Sequence, residues 1–160
     1  MTTATHPVSA EDIGQRVLKL IGSLRNAGDL SPERIEQTTG LRVEISADDR
    51  NVYGFSGDIN DQWSYNLVTT PAGQDAPPRS LRFSFDADSH GDVDPAPICK
   101  PTFTEYTRAL TELGFEGVPM RTYPGSEGWH FNRGDINVMA YPRSGDHGEC
   151  LSKLIVSASE

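Results

Sequence analysis

Basic residues are scarce in this chain: 14 Lys and Arg stand against 23 Asp and Glu over 160 residues, giving a net charge of −9. Binding a nucleic-acid backbone needs lysine and arginine to displace phosphate counterions, so this scarcity argues against a nucleic-acid partner and against anionic membrane surfaces. Long hydrophobic runs are missing too. No apolar stretch approaches the ~18 residues that a membrane-spanning helix requires, so no membrane insertion is expected. Cysteine is limited to Cys99 and Cys150, with no C-x-x-C pair and no Cys/His cluster at zinc spacing. That even pair is compatible with one disulfide outside the cytosol or with two free thiols inside it. Residues 1–9 lack the basic start and apolar stretch of a signal peptide. The same segment also reads as the spacer of a trimmed export product. The expected location is therefore the periplasm if the chain was trimmed, and the cytoplasm otherwise. Nucleophile elbows, phosphate-binding loops, dinucleotide fingerprints and His-Glu-x-x-His are absent as well.

What the chain does have is periodicity and punctuation. With 36% hydrophobic residues, 15 Gly and 11 Pro, it fits a single globular domain over 1–160 with many turns, and a flexible tail over 1–8. Ser9 can cap a helix whose apolar face is Ile13, Val17, Leu20, Ile21 and Leu24; Ser31, Pro32 and Gly40 bracket a shorter second one. From Leu41 the period changes to two. Leu41, Val43 and Ile45, then residues 52–55, then Trp63, Tyr65 and Leu67, then Leu81, Phe83 and Phe85 read as four strands with one buried face. Thr102 with Glu105 matches a capping box opening a helix through Phe103, Tyr106, Leu110 and Leu113. Strand patterns follow at 128–132, 136–141 and 151–157, with Gly134 in the tight turn between the first two. The expected fold is α+β, a mostly antiparallel twisted sheet with helices packed on one face, in the order ααββββαβββ.

The densest run of ligand-type side chains is Asp86-Ala-Asp88-Ser-His90-Gly91-Asp92-Val-Asp94. Set against a calcium-binding helix–loop–helix, Asp86, Asp88 and Asp94 fall at ligand positions one, three and nine and Gly91 at six. However, position twelve is Pro97 instead of a bidentate glutamate, and His90 is a poor ligand for a hard cation. Calcium is the one cofactor this loop suggests, and no other is expected. His6, His90, His130 and His147 show no mutual metal-ligand spacing. His130 alternates with Trp129 and Phe131, which places it on the outer face of a strand. Cys99 precedes a helix start, but with no histidine nearby it reads as structural. Tyr53, Trp63, Tyr65, Tyr123, Trp129 and Tyr141 are more aromatics than the alternating cores need, and tyrosine and tryptophan suit protein interfaces.

Three functions compete: a non-enzymatic protein-binding domain, a small hydrolase or transferase whose active site no motif reveals, and a calcium-binding module built on the 86–94 loop. The charge and the missing catalytic motifs favour the first. The segment Gly128-Trp-His-Phe-Asn-Arg-Gly-Asp-Ile-Asn-Val-Met-Ala-Tyr141, followed by Cys150-Leu-Ser-Lys-Leu-Ile-Val156 and set in a helix-then-sheet order, resembles the small acidic α+β immunity proteins with which bacteria neutralise secreted antibacterial toxins. The resemblance implies a toxin–antitoxin or type VI secretion setting. Its implied partner is an effector enzyme, basic or cleft-bearing, whose active site is occluded. The expected contact residues are Asp86, Asp88, Asp92 and Asp94, with Tyr53 and Trp63 beside them.

Overall fold

A computed structural model describes residues 9–87, 93–123, 126–143 and 149–159. The first helix, α1, spans Ala10–Ser23, where the Ser9 side chain accepts the backbone N–H of Asp12. Ser31 does the same for Arg34 at the start of α2, Pro32–Thr39, with Pro32 supplying its preset φ. Gly40, at φ 73°, closes α2 in the left-handed conformation that only glycine adopts cheaply. Four strands follow: β1 (Glu44–Ile45), β2 (Tyr53–Asp58), β3 (Trp63–Pro71) and β4 (Pro78–Ala87). After a short 3-10 turn comes α3, Phe103–Glu112, opened by the reciprocal Thr102/Glu105 capping box. Last are β5 (Glu116–Tyr123), β6 (Ser126–Arg133), β7 (Ile136–Pro142) and β8 (Leu151–Ala158).

The strands form one eight-stranded sheet in the order β1-β2-β3-β4-β8-β7-β6-β5, with every neighbouring pair antiparallel. The sheet is two up-and-down meanders, each preceded by helix, joined along the seam between β4 and β8. The α+β class and antiparallel layout are as the periodicity predicts, with one strand more. β5 goes unread in the sequence because Gly117 and Pro119 look like strand breakers; at the rim of a sheet a proline is tolerated. The first strand is also shorter than expected, pairing only through Glu44 and Ile45.

The core lies between the helices and one face of the sheet. Val17, Leu20 and Ile21 of α1 and Tyr106 and Leu110 of α3 are buried there, with Trp63, Leu67, Phe83, Phe131, Val138 and Val156 from the strands. Each such side chain contributes about 1.5–3 kcal/mol relative to an exposed one. Arg133, at the end of β6, ties the helix layer to the sheet. Its guanidinium donates to the carbonyls of Leu113 (2.7 Å), Leu24 (2.9 Å) and Gly22 (3.2 Å), and lies 4.5 Å over the Phe115 ring. These carbonyls belong to the C-terminal ends of α1 and α3, where a cation also meets the negative ends of both helix dipoles. Cys99 and Cys150 are joined by a disulfide that links the α3 approach to the start of β8. Beside it, the Phe103 N–H donates to the Glu149 carbonyl at 2.8 Å.

Among the described residues, one buried polar side-chain atom lacks a partner. The Tyr106 hydroxyl is buried without a hydrogen bond among the described residues, and it occupies the space that a side chain at Gly14 would need. Burial also raises its pKa. Leaving a buried hydroxyl unpaired costs stability, so Tyr106→Phe is expected to raise the unfolding free energy by about 1 kcal/mol. A urea titration reads this directly, and a lower midpoint for Tyr106→Phe would contradict the assignment.

Candidate functional site

Side chains alternate across a strand, so each inward core residue is flanked by neighbours on the opposite face. Along β3, Trp63, Tyr65, Leu67 and Thr69 are buried, whereas Ser64, Asn66 and Val68 are half-buried and Thr70 is exposed. The register carries these outward positions across the sheet. Val68 lies opposite Arg82, Arg82 opposite Ile155, Ile155 opposite Met139, Met139 opposite His130, and His130 opposite Val118. Beside this mostly apolar row runs a second one, Asn66, Ser84, Lys153 and Tyr141. A third, polar row holds Ser80, Ser157, Asn137, Asn132 and Glu116. The three helices bury their apolar faces on the other side of the sheet, and Val118, on this one, is 57% exposed.

Few charges mark the open face. Over the outward positions of β3, β4, β8, β7 and β6 that are described, the side chains charged at neutral pH, histidine aside, are Arg82, Asp86 and Lys153. Just past β7, Arg143 joins them at a shallow cleft of about 330 Å³ lined also by Ser84 and Ser152. The cleft's side chains are partly fixed. The Lys153 ammonium lies 5.0 Å from the Tyr141 ring centre, and the Arg143 guanidinium 4.8 Å from that of Trp63. Arg143 also donates to the Phe85 carbonyl at 3.3 Å. Burial lowers the Arg143 pKa, and the nearby Asp86 carboxylate opposes that shift. The Ser84 hydroxyl donates to Asp86 at 3.3 Å. Arg82 is exposed and forms no ion pair among the described residues.

The expected contact residues separate. Asp86 and Asp94 are exposed, and Asp94 caps the short turn after it by accepting the Ala96 N–H at 3.0 Å. Asp88, His90, Gly91 and Asp92 lie outside the described residues, so the calcium loop of Asp86, Asp88 and Asp94 has no geometry to judge. Tyr53 and Trp63 are core residues, 5% and 2% exposed, and offer a partner no surface. The Tyr53 hydroxyl donates to the Leu30 carbonyl, and burial with the Glu33 charge pushes its pKa up to about 12. The Trp63 indole N–H donates to the Asp94 carbonyl at 2.8 Å. Both rings are amphipathic, with the polar tip bonded to backbone and the body in the core. Sequence reasoning missed Arg82, Lys153 and Arg143. The alternation places Arg82 outward, between the inward Leu81 and Phe83, but nothing local pairs it with a strand some 70 residues on.

An enzymatic centre would need a base beside a nucleophile or carboxylate. His130 lies on the open face as its alternation requires, and its Nε2 is 3.2 Å from the Asn137 amide oxygen. His147 falls outside the described residues. Both cysteines are consumed by the disulfide, which also removes them as ligands beside Glu149. A groove of about 450 Å³ lies between α3 and the β5–β6 edge, lined by Thr104, Thr107, Thr111, Arg108, Glu116 and Trp129 among others, with no histidine or cysteine. No protein-family model matches the chain, and neither a curated protein nor a solved structure shows significant similarity to it.

Proposed function

We propose that this chain is a non-enzymatic protein-binding domain that docks a partner protein through the open face of its sheet. The observation that supports this is the mostly apolar row on a face that the helices leave uncovered, in which Val68, Ile155, Met139 and Val118 are interrupted by Arg82 and His130. Such a surface is what a partner can bury. The sheet edges are poorly suited to the task. β1 is two residues long and β5 carries Pro119, devices that discourage strand addition. The finer reading is an immunity protein that occludes a toxic effector enzyme. It is supported by the resemblance of residues 128–141 and 150–156, by the net charge of −9, and by the lack of a catalytic arrangement among the described residues. The Cys99–Cys150 bridge suits an oxidising compartment such as the periplasm.

The test is co-purification of the full-length chain from its source cells, alongside Met139→Glu/Ile155→Glu, which places two charges on the half-buried centre of the face. A partner enzyme is expected to be retained by the parent and lost, at least 100-fold in affinity, by the variant. Retention of the same partner by a folded variant would place the contact elsewhere. Recovery of no protein partner would sink the reading itself.

A further inference from the structure

Resting on the docking face just proposed, we infer that the cleft among Arg82, Lys153 and Arg143 receives an aspartate or glutamate side chain of the partner protein. The acidic balance of the chain alone points to basic contacts, but the charge is not spread evenly. Among the described residues the centre of the open face reverses the sign: three cations surround one carboxylate, Asp86, in a chain of net charge −9. Asp86 already accepts the Ser84 hydroxyl and faces Arg143. Arg82 and Lys153 are left without an anion among the described residues, and the register makes them diagonal neighbours: Arg82 lies opposite Ile155, two residues from Lys153.

Two further observations favour an acidic partner over other occupants. A second copy of the chain docking face to face about a two-fold axis through this cleft would set Arg82 and Lys153 against their own equivalents, which like-charge repulsion opposes. The cations are also partly held in place. Lys153 rests on Tyr141, and Arg143 rests on Trp63 with a bond to the Phe85 carbonyl, so less side-chain freedom is lost on contact. Arg82 and Arg143 supply forked donors that match a carboxylate, while Ser84 and Ser152 line the same cleft. The long-range and short-range fields then act differently. The acidic exterior draws in a basic partner from beyond the ~10 Å screening length, and the cationic centre selects, at contact, an acidic side chain that fixes the register.

Amide-resolved NMR of the uniformly labelled full-length chain tests this, with acetylated tetraglutamate amide, tetralysine and inorganic phosphate as probes. Tetraglutamate is expected to shift the amides of residues 82–86 and 152–153 saturably. Arg82→Gln/Lys153→Gln should weaken that binding at least ten-fold while the rest of the spectrum stays unchanged. Absence of those shifts, tetralysine binding at the same segments, or phosphate binding as tightly as the peptide would each overturn the inference. Once a partner is in hand, capture that Arg82→Glu/Lys153→Glu leaves intact would overturn it too, with the docking reading still standing.

Discussion

Replacing Arg133 with alanine is expected to lower the unfolding free energy by about 3 kcal/mol, among the larger effects of any single change in this chain. Three backbone carbonyls at two helix ends share its guanidinium, and all three would have to find water in a half-buried site. The Phe115 ring would lose the cation above it, and the C-terminal ends of α1 and α3 would lose a favourable charge. Lysine carries the same charge but presents one ammonium. It cannot span Leu113 on one side and Gly22 with Leu24 on the other, so Arg133→Lys is expected to recover less than half of the loss. Urea titrations of the three proteins measure this, the midpoint falling in the order parent, Arg133→Lys, Arg133→Ala. An alanine variant within 0.5 kcal/mol of the parent would show that solvent serves those carbonyls equally well.

A still larger loss is expected from opening the disulfide. Cys99 and Cys150 are 51 residues apart in sequence, and closing a loop of that size in the unfolded chain is worth about 4 kcal/mol on the chain-entropy account. The bridge closes a loop containing α3 and β5 through β7, the whole second meander except β8. Cys99→Ala/Cys150→Ala should therefore unfold at a much lower urea concentration than the oxidised parent and match the parent after full reduction, with thiol titration reporting the redox state. If the double variant and the oxidised parent unfold together, the bridge adds nothing to stability.

The sequence and the structure agree most closely where structure is local. Ser9, Ser31 and the Thr102/Glu105 pair mark the starts of α1, α2 and α3, because a capping side chain acts within three residues of itself. The alternation of Trp63, Tyr65 and Leu67, and of Leu81, Phe83 and Phe85, identifies β3 and β4 and their buried face. β5 escapes notice because Gly117 and Pro119 contradict strand propensity, and only its place at the rim makes them acceptable. Tyr53 and Trp63 mislead for a different reason. Their composition suits an interface, but the backbone carbonyls that satisfy their polar tips, at Leu30 and Asp94, lie 23 and 31 residues away. The cationic centre of the open face depends on the pairing of Ser84 with Lys153, a fact of topology that no local pattern encodes. Arg133 is the sharpest case. It sits in Arg133-Gly134-Asp135, whose turn role is visible from Gly134, whereas its bonds reach back some 110 residues to Gly22 and Leu24.

The seam between β4 and β8 also sets an order of events during synthesis. Within each meander, every strand pairs with the one made just before or after it, so those ladders can form as the chain emerges. β4 is different, because its second neighbour is the last strand of the fold. Until residues 151–158 leave the ribosome, the backbone donors and acceptors along that side of β4 have no partner, and the inward Leu81, Phe83 and Phe85 lack half of their cover. A nascent chain of this protein therefore carries an open, apolar strand edge through nearly half of its translation, the period in which it is most exposed to pairing with another chain.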